Sequence, residues 1–501
     1  MKKKTQERPA VDVFVPVRAA FEELLAWANS ERCPGHHADL EEEIELRGRE
    51  IQRLLLQARF DKLFAEEADR MRRRPPSGRV RARKRVLESR FGRVELRRHG
   101  VRRRGQMRAR FALDDRLRLP REIYSMGLRR RIAEETRTQS WDQAVARVDA
   151  TTGGHVPKRQ AEQLVERAGR DFEAFYAERR RNEPVNDTAG PGTLLALSCD
   201  GKGIAVRAEA LRDATRKQAQ QAGREPVRGD PTEMRVERRH RKRMATVTAV
   251  WDQEPCERTA DDIVRKLRGR DEPEARRLTR PQRKRVAATI EKDLAEGIAE
   301  MFDEADRRDP SRERTCVVLV DGDEDQAAQI EAQAVKRHRT ITIVLDLLHA
   351  LHYVWLAAMA VRRGDARKAD AWVRKYLKKL LTAAQPLDVI AGINQAATLA
   401  RLTPEERTPV DKCVGYLKSN AAYIKYPQYL SQGLPIATGV IEGACRHLIQ
   451  DRLGITGARW GLRSAEAVLR LRALATNGDW NDYWRFHLRK EHERCRSAAA
   501  A

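Results

Sequence analysis

Residues 316–326 join an apolar run, Cys-Val-Val-Leu-Val, to a dense set of acids, Asp321-Gly322-Asp323-Glu324-Asp325. The valine-rich run predicts a short buried strand. Carboxylates this close repel one another unless a cation or a proton relieves them. In open α/β sheets, ligands bind beyond the carboxyl ends of the strands. The stretch therefore reads as half of a divalent-metal site. Asp321, directly after the strand, is its principal ligand, and Asp323 and Asp325 take auxiliary or helix-capping roles.

Two other uses of these acids fail in detail. A calcium-binding EF-hand loop wants glycine at its sixth position and glutamate at its twelfth, where Gln326 and Ala332 stand. A haloacid dehalogenase-type phosphatase wants Thr or Val two residues after its second Asp, where Asp325 stands.

What completes a magnesium site is further oxygen ligands, and two-metal phosphoryl chemistry needs more than one acid. Residues 193–199 read as another strand, ending at Asp200-Gly-Lys202-Gly. A third acid is Glu442, within Thr438-Gly-Val-Ile-Glu442-Gly-Ala-Cys-Arg446. Thr438 is suited to cap a helix there. Ile441, Ala444, Cys445, Leu448 and Ile449 form its apolar arc, with Glu442 at the edge and Arg446 one turn on. Taken alone, such a position also suits an ordinary surface glutamate. Asp346-Leu-Leu-His349 has helical i, i+3 spacing inside an apolar run. That pair reads as a structural hydrogen bond, as support for the metal, or as a contact to DNA. Lys202 and Arg446 are candidates of the same supporting or DNA-contacting kind.

These residues need a scaffold. Strands are expected at 193–199, at 204–207 as its hairpin partner, at 244–251, 316–320 and 340–345. Helices are expected at 281–306 and 326–338. Three closely connected strands followed by helix, strand, helix, strand is the order of a ribonuclease H-like α/β core. Residues 348–425 read as helical, and 208–243 as a basic excursion ending in Arg241, Lys242 and Arg243, which are candidate DNA contacts.

Upstream, helices are expected over 16–29 and 38–71. The second has acids early and bases late, as the helix dipole favours. Its stripe of Leu40, Ile44, Ile51, Leu55 and Ala58 fits packing within the chain or self-association. Residues 72–85 read as a basic linker, and 92–97 and 106–111 as strands joined through Gly100 and Gly105. Their arginines suit either DNA backbone or solvent. Residues 126–180 read as all-helical, with a capping box at Ser140 to Gln143. There a glycine turn leads into a helix fronted by Lys158, Arg159 and Gln160. This is a helix-turn-helix candidate for DNA, although any helical hairpin gives the same pattern. The Pro-, Gly- and Asn-rich stretch 182–192 is the clearest domain boundary.

Of 501 residues, 100 are Lys or Arg and 74 are Asp or Glu, a net charge of +26 that favours a polyanionic partner, nucleic acid first. Aromatic residues are only 5%, which argues against a chain built mainly on base stacking. Seven cysteines without a CxxC pair exclude a zinc ribbon and a disulfide frame and suit a reducing cytosol. No secretory signal is visible. The most membrane-like run, 341–361, is interrupted by Asp346, His349 and His352, so no membrane span is expected.

Several long motifs, in order, resemble the ISKra-type insertion-sequence transposases. They are Asp200-Gly-Lys-Gly, 208–217, Asp321-Gly-Asp323, Gly439-Val-Ile-Glu442 through Gly457-Ala-Arg-Trp-Gly, Asn477-Gly-Asp-Trp and Tyr483-Trp-Arg-Phe-His. The resemblance covers nearly the whole chain and is weakest before residue 85. It implies a DDE transposase with a ribonuclease H-like core. Asp200, Asp321 and Glu442 would be its catalytic and metal-binding triad, holding two Mg2+ (or Mn2+) ions. Asp346 and His349 match a Cys-or-Asp, two-residue, His signature of related transposases with a helical insertion. The triad is evenly spaced, at intervals of 121 positions, and the second interval is long enough for such an insertion.

The implied organisation is a helical region over 1–75, a basic linker and β-hairpin over 76–122, and a helix-turn-helix-like region over 123–185. The core would run over 186–350 and 431–480 around an all-α insertion at 351–430, with a basic tail at 481–501. Implied partners are the element's inverted repeats, target DNA and further copies of the chain, in the cytoplasm at the nucleoid.

Overall fold

The computed structural model describes residues 12–182, 189, 192–222, 242–267, 280–383, 385–455 and 457–500. They fall into two compact units, Met1–Phe175 with Asp479–Ala501, and Tyr176–Gly478.

The first unit opens with the helices Val15–Ala28 and His37–Arg73. A three-stranded antiparallel sheet follows, of β1 (Arg79–Ser89), β2 (Gly92–Arg102) and β3 (Arg110–Phe111). The expected linker is thus partly strand. β1 pairs with β2 along its whole length, and the chain turns at Arg90-Phe91 instead of at Gly100 and Gly105. Alternating arginines, exposed on β1, hide its period-two pattern among charges. Phe60 and Leu63 of the long helix share a core with Leu87, Val94, Leu96 and Leu113. Of the helix's apolar stripe, Ala58 is buried, while Ile44 and Leu55 are 47% and 49% exposed.

Helices Met126–Thr136, Trp141–Thr151 and Lys158–Gly169 surround Leu128, Ile132, Val148 and Leu164. The Ser140 capping box forms as expected. The glycine turn has a further cause. A Cβ on Gly153 or Gly154 would lie 2.4 Å from the carbonyl oxygen of Phe91 or Ser89, so the turn lies directly against the β1–β2 hairpin. The expected tail is instead part of the helix Trp480–Ala500, which buries Tyr483, Trp484, Phe486 and His487.

The second unit holds a five-stranded sheet. Its strands are β4 (Leu194–Ala205), β5 (Lys242–Gln253), β6 (Gln282–Thr289), β7 (Cys316–Val320) and β8 (Thr342–Leu345). They lie in the order β6-β5-β4-β7-β8, with β5 antiparallel to both neighbours and β7 and β8 parallel to β4. Five strands were expected, but two assignments differ. Ile204 and Ala205 continue the first strand beside β5, and Val206 forms an isolated bridge with Trp460, so no hairpin partner forms there. The third strand, β6, lies within residues read as helix. β6 is an edge strand whose first half is Gln-Arg-Lys-Arg, its first three residues exposed, so charge conceals it. Every residue of β7 is buried, as a strand covered on both faces requires.

Helices Leu294–Arg308, Gly439–Cys445 and Leu462–Thr476 pack on this sheet. Between Asp346 and Glu442 stand the helices Leu347–Val361, Ala366–Thr382, Pro386–Leu399, Pro404–Ser419 and Tyr426–Ser431.

Candidate acidic active site

Asp200 and Asp321 are brought together by strand register. The parallel pair β4–β7 ends at Ser198↔Leu319, and each acid stands two residues further on. Side chains alternate along a strand and adjacent strands lie about 5 Å apart, so the two carboxylates leave the same face side by side. Asp200 does not end its strand, as the sequence suggested. It stands where β7 stops, while β4 continues along β5. Ser198 Oγ donates to the Leu319 carbonyl at 2.9 Å, and Gln326 Nε2 donates to the Cys199 carbonyl at 3.0 Å, fixing this register.

The Asp321 carboxyl is held above the ordinary carboxylate range. Burial is the largest cause; the Asp323 N–H, donating at 3.2 Å, opposes it, and the charge of Asp200 adds to the rise. His349, exposed on the helix that follows β8, pulls it back down. Asp323 itself caps the helix Glu324–Lys336, accepting from Gln326 N at 2.9 Å.

Glu442 reaches this neighbourhood through its helix. Ile441, Ala444, Cys445, Leu448 and Ile449 are buried, while Glu442 and Arg446 are exposed at the border. Three residues after Glu442, the Cys445 thiol donates to Asp200 Oδ2 at 3.1 Å. Burial first, then the charge of Asp200, pushes that thiol far up, so it stays a protonated donor. The chain then makes a π-helical turn at Arg446–Gln450, a distortion often found at functional sites.

Thr438 does not cap this helix with its side chain. It binds Asp346 instead. Asp346 Oδ2 accepts from Thr438 N at 2.7 Å and from the Thr438 hydroxyl, while Oδ1 accepts from Leu348 N and His349 N at 2.6 and 2.9 Å. Asp346 is 1% exposed, which removes it as a DNA contact and makes it a structural support of the Glu442 helix. Lys202, two residues beyond Asp200 on β4, acts electrostatically on Cys445. Arg446 Nε lies 3.7 Å from Asp451 Oδ1.

The other basic candidates are dispersed. Lys158 and Arg159 are exposed and Gln160 half-buried at the front of their helix, with Lys158 paired to Asp142 at 2.8 Å. Lys242 is exposed. Arg243 donates to the carbonyls of Ile290 and Ala210, so its guanidinium is committed to the fold. Arg241 lies outside the described residues.

Several other acids in the same unit are neutralised by bases. Asp252 meets Arg283, Arg308 and Arg314; Glu304 meets Arg307 and Arg308; Asp309 meets Arg339. Among the described residues, Asp200, Asp321 and Glu442 form no ion pair with a base. Their hard oxygen donors and uncompensated charge fit Mg2+ or Mn2+.

Their ligand atoms are not gathered within 4.8 Å of one another; among the described residues only Asp171, His487 and Glu491, in the first unit, are. That cluster is already satisfied. His487 Nδ1 donates to Asp171 at 2.7 Å, and Arg129 contacts both His487 Nε2, at 3.2 Å, and Glu491, at 2.9 Å. Arg494 forks onto Asp171 with two bonds of 2.7 Å. It is a buried charge network whose ligand atoms already have partners, and nothing in the sequence spacing signals it.

No helix among the described residues is long and apolar enough to cross a membrane. A cavity of about 800 Å³ lies beside β8, lined by Glu331, His338, Tyr423 and Tyr429 among others, and none of the three acids lines it. Compared with known proteins, the chain matches no protein-family model and no curated protein.

Proposed function

We propose that the chain is a DNA transposase of the DDE type with a ribonuclease H-like core. It would cut phosphodiester bonds at the ends of a mobile element and join them to target DNA. The observation that carries this reading is the placement of Asp200 and Asp321 two residues beyond the point where the parallel pairing of β4 and β7 ends, with the Glu442 helix bonded to Asp200 through Cys445. The strand order, with one antiparallel neighbour and two parallel strands on the other side of β4, supports the core assignment. The helices between Asp346 and Glu442 match the insertion that the motifs imply.

Asp200, Asp321 and Glu442 would hold two divalent cations. When bound, such ions activate the attacking oxygen and stabilise charge on the leaving oxygen of the phosphodiester. The chain's own residues set the geometry. β4 and β7 fix the separation of two carboxylates, Cys445 orients Asp200, and Asp346 fixes the start of the Glu442 helix. Two half-exposed acids and the exposed Glu442, outside an enclosed pocket, leave access for a polymer. The excess of Lys and Arg holds phosphates, so affinity falls steeply with salt.

Incubating the protein with DNA carrying the inverted repeats and Mg2+ or Mn2+ tests this. Cleavage at the ends with joined products is expected. Cleavage without joining would indicate a nuclease, and binding without cleavage a regulator.

A further inference from the structure

The helix Pro404–Ser419 delivers a side chain to the turn that carries Asp321. Tyr416 Oη donates to the main-chain oxygen of Asp321 at 2.7 Å. Its ring closes over Gly322, where φ is 94° and a Cβ would stand 2.6 Å from the tyrosine Cε2. Only glycine meets both demands without strain. Asn420, one turn later, donates from Nδ2 to the Gly322 carbonyl at 3.4 Å and to the Tyr416 carbonyl at 3.0 Å. Behind Tyr416, the ring of Tyr353 stacks at 4.1 Å between centroids and 17° between planes. Burial and then the charge of Asp321 push the Tyr416 phenol far up, so it stays a donor.

We propose that Tyr416 is a positioning residue for Asp321. A hydroxyl bonded to the Asp321 carbonyl, with its ring seated on the next residue, fixes the peptide plane that follows that carboxylate. The helical segment between the second and third acids thereby sets the aim of the second one. The inference rests on Asp321 being a metal ligand.

The test uses the full chain without DNA and measures Mn2+ binding by electron paramagnetic resonance, with thermal melting in parallel. Tyr416→Phe keeps the stacked ring and removes only the hydroxyl. A neutral hydrogen bond contributes roughly a two- to tenfold factor, and Mn2+ affinity is expected to fall by about that much, with the melting temperature nearly unchanged. The metal concentration for half-maximal cleavage should rise in parallel, while the KM for DNA stays put. Gly322→Ala, which drives a methyl group into the Tyr416 ring, should weaken Mn2+ binding further.

Wild-type affinity in Tyr416→Phe, or a loss seen only where the fold is lost, overturns the positioning role. Asp321→Ala separates the two levels. If it loses Mn2+ and Tyr416→Phe does not, only the positioning role fails. If Asp321→Ala binds Mn2+ as the wild type does, the metal reading of Asp321 fails and the positioning role with it.

Discussion

The buried carboxylate of Asp346 ties two helix starts together through Thr438. One oxygen caps the helix Leu347–Val361, and the other takes the Thr438 N–H at 2.7 Å and the Thr438 hydroxyl, four residues before Glu442. Replacing Asp346 with Ala leaves these buried donors without a partner, which costs on the order of 1–3 kcal/mol. Chemical denaturation should register that loss. Metal-dependent cleavage should fall by more than DNA affinity does, because the Glu442 helix loses its anchor; an equal fall in both would contradict this role.

The two glycines of the turn between the second and third helices of the 126–169 group leave no room for a side chain. Gly153→Ala would bring a methyl carbon to 2.4 Å from the Phe91 carbonyl oxygen. Overpacking of this kind costs about 1–3 kcal/mol. The expected readout is a lower melting temperature that an alanine at the open position Gly35, where φ is not positive, does not reproduce.

His487 makes the first unit sensitive to mild acid. Burial is the largest influence on it and lowers its pKa to about 4, against the opposing pull of Asp171. The folded state therefore keeps His487 neutral while the unfolded chain takes up a proton below about 6.5. Stability is full above that pH and falls as pH drops from about 6.5 toward 4, by roughly 3 kcal/mol in the limit. Asp171, held below the usual carboxylate range despite its burial by bonds from His487 and Arg494, adds a loss of the same sign at lower pH. Replacing His487 with Gln should flatten the upper part of this profile in pH-dependent denaturation.

If the helix Lys158–Gly169 contacts DNA backbone, Lys158→Ala and Arg159→Ala should weaken binding across sequences. Each should reduce the salt slope of affinity by about one. An unchanged slope would assign these side chains to solvent.

Much of the scaffold around the candidate acids was legible because it rests on short-range patterns. The apolar run before Asp321 is β7, and the arc around Glu442 is buried as its 3.6-residue spacing requires. Where charge dominated, the sequence misled. The basic strands β1 and β6 were hidden, and the C-terminal helix, whose apolar residues are spaced among bases, was read as a tail. Long-range partners left no trace at all. The Cys445–Asp200 bond spans 245 positions, and Arg129 meets His487 across 358. No local period encodes such pairings. Thr438 illustrates the same limit, since a residue type suited to capping is claimed by Asp346 instead.

The most direct measurement compares wild-type protein with Asp200→Ala, Asp321→Ala and Glu442→Ala on DNA bearing the element ends, with Mg2+ or Mn2+. Binding is followed by mobility shift and cleavage on a sequencing gel. Each single replacement is expected to abolish metal-dependent cleavage while leaving DNA affinity within a few-fold of wild type. Full cleavage by Asp321→Ala would contradict the account at its centre.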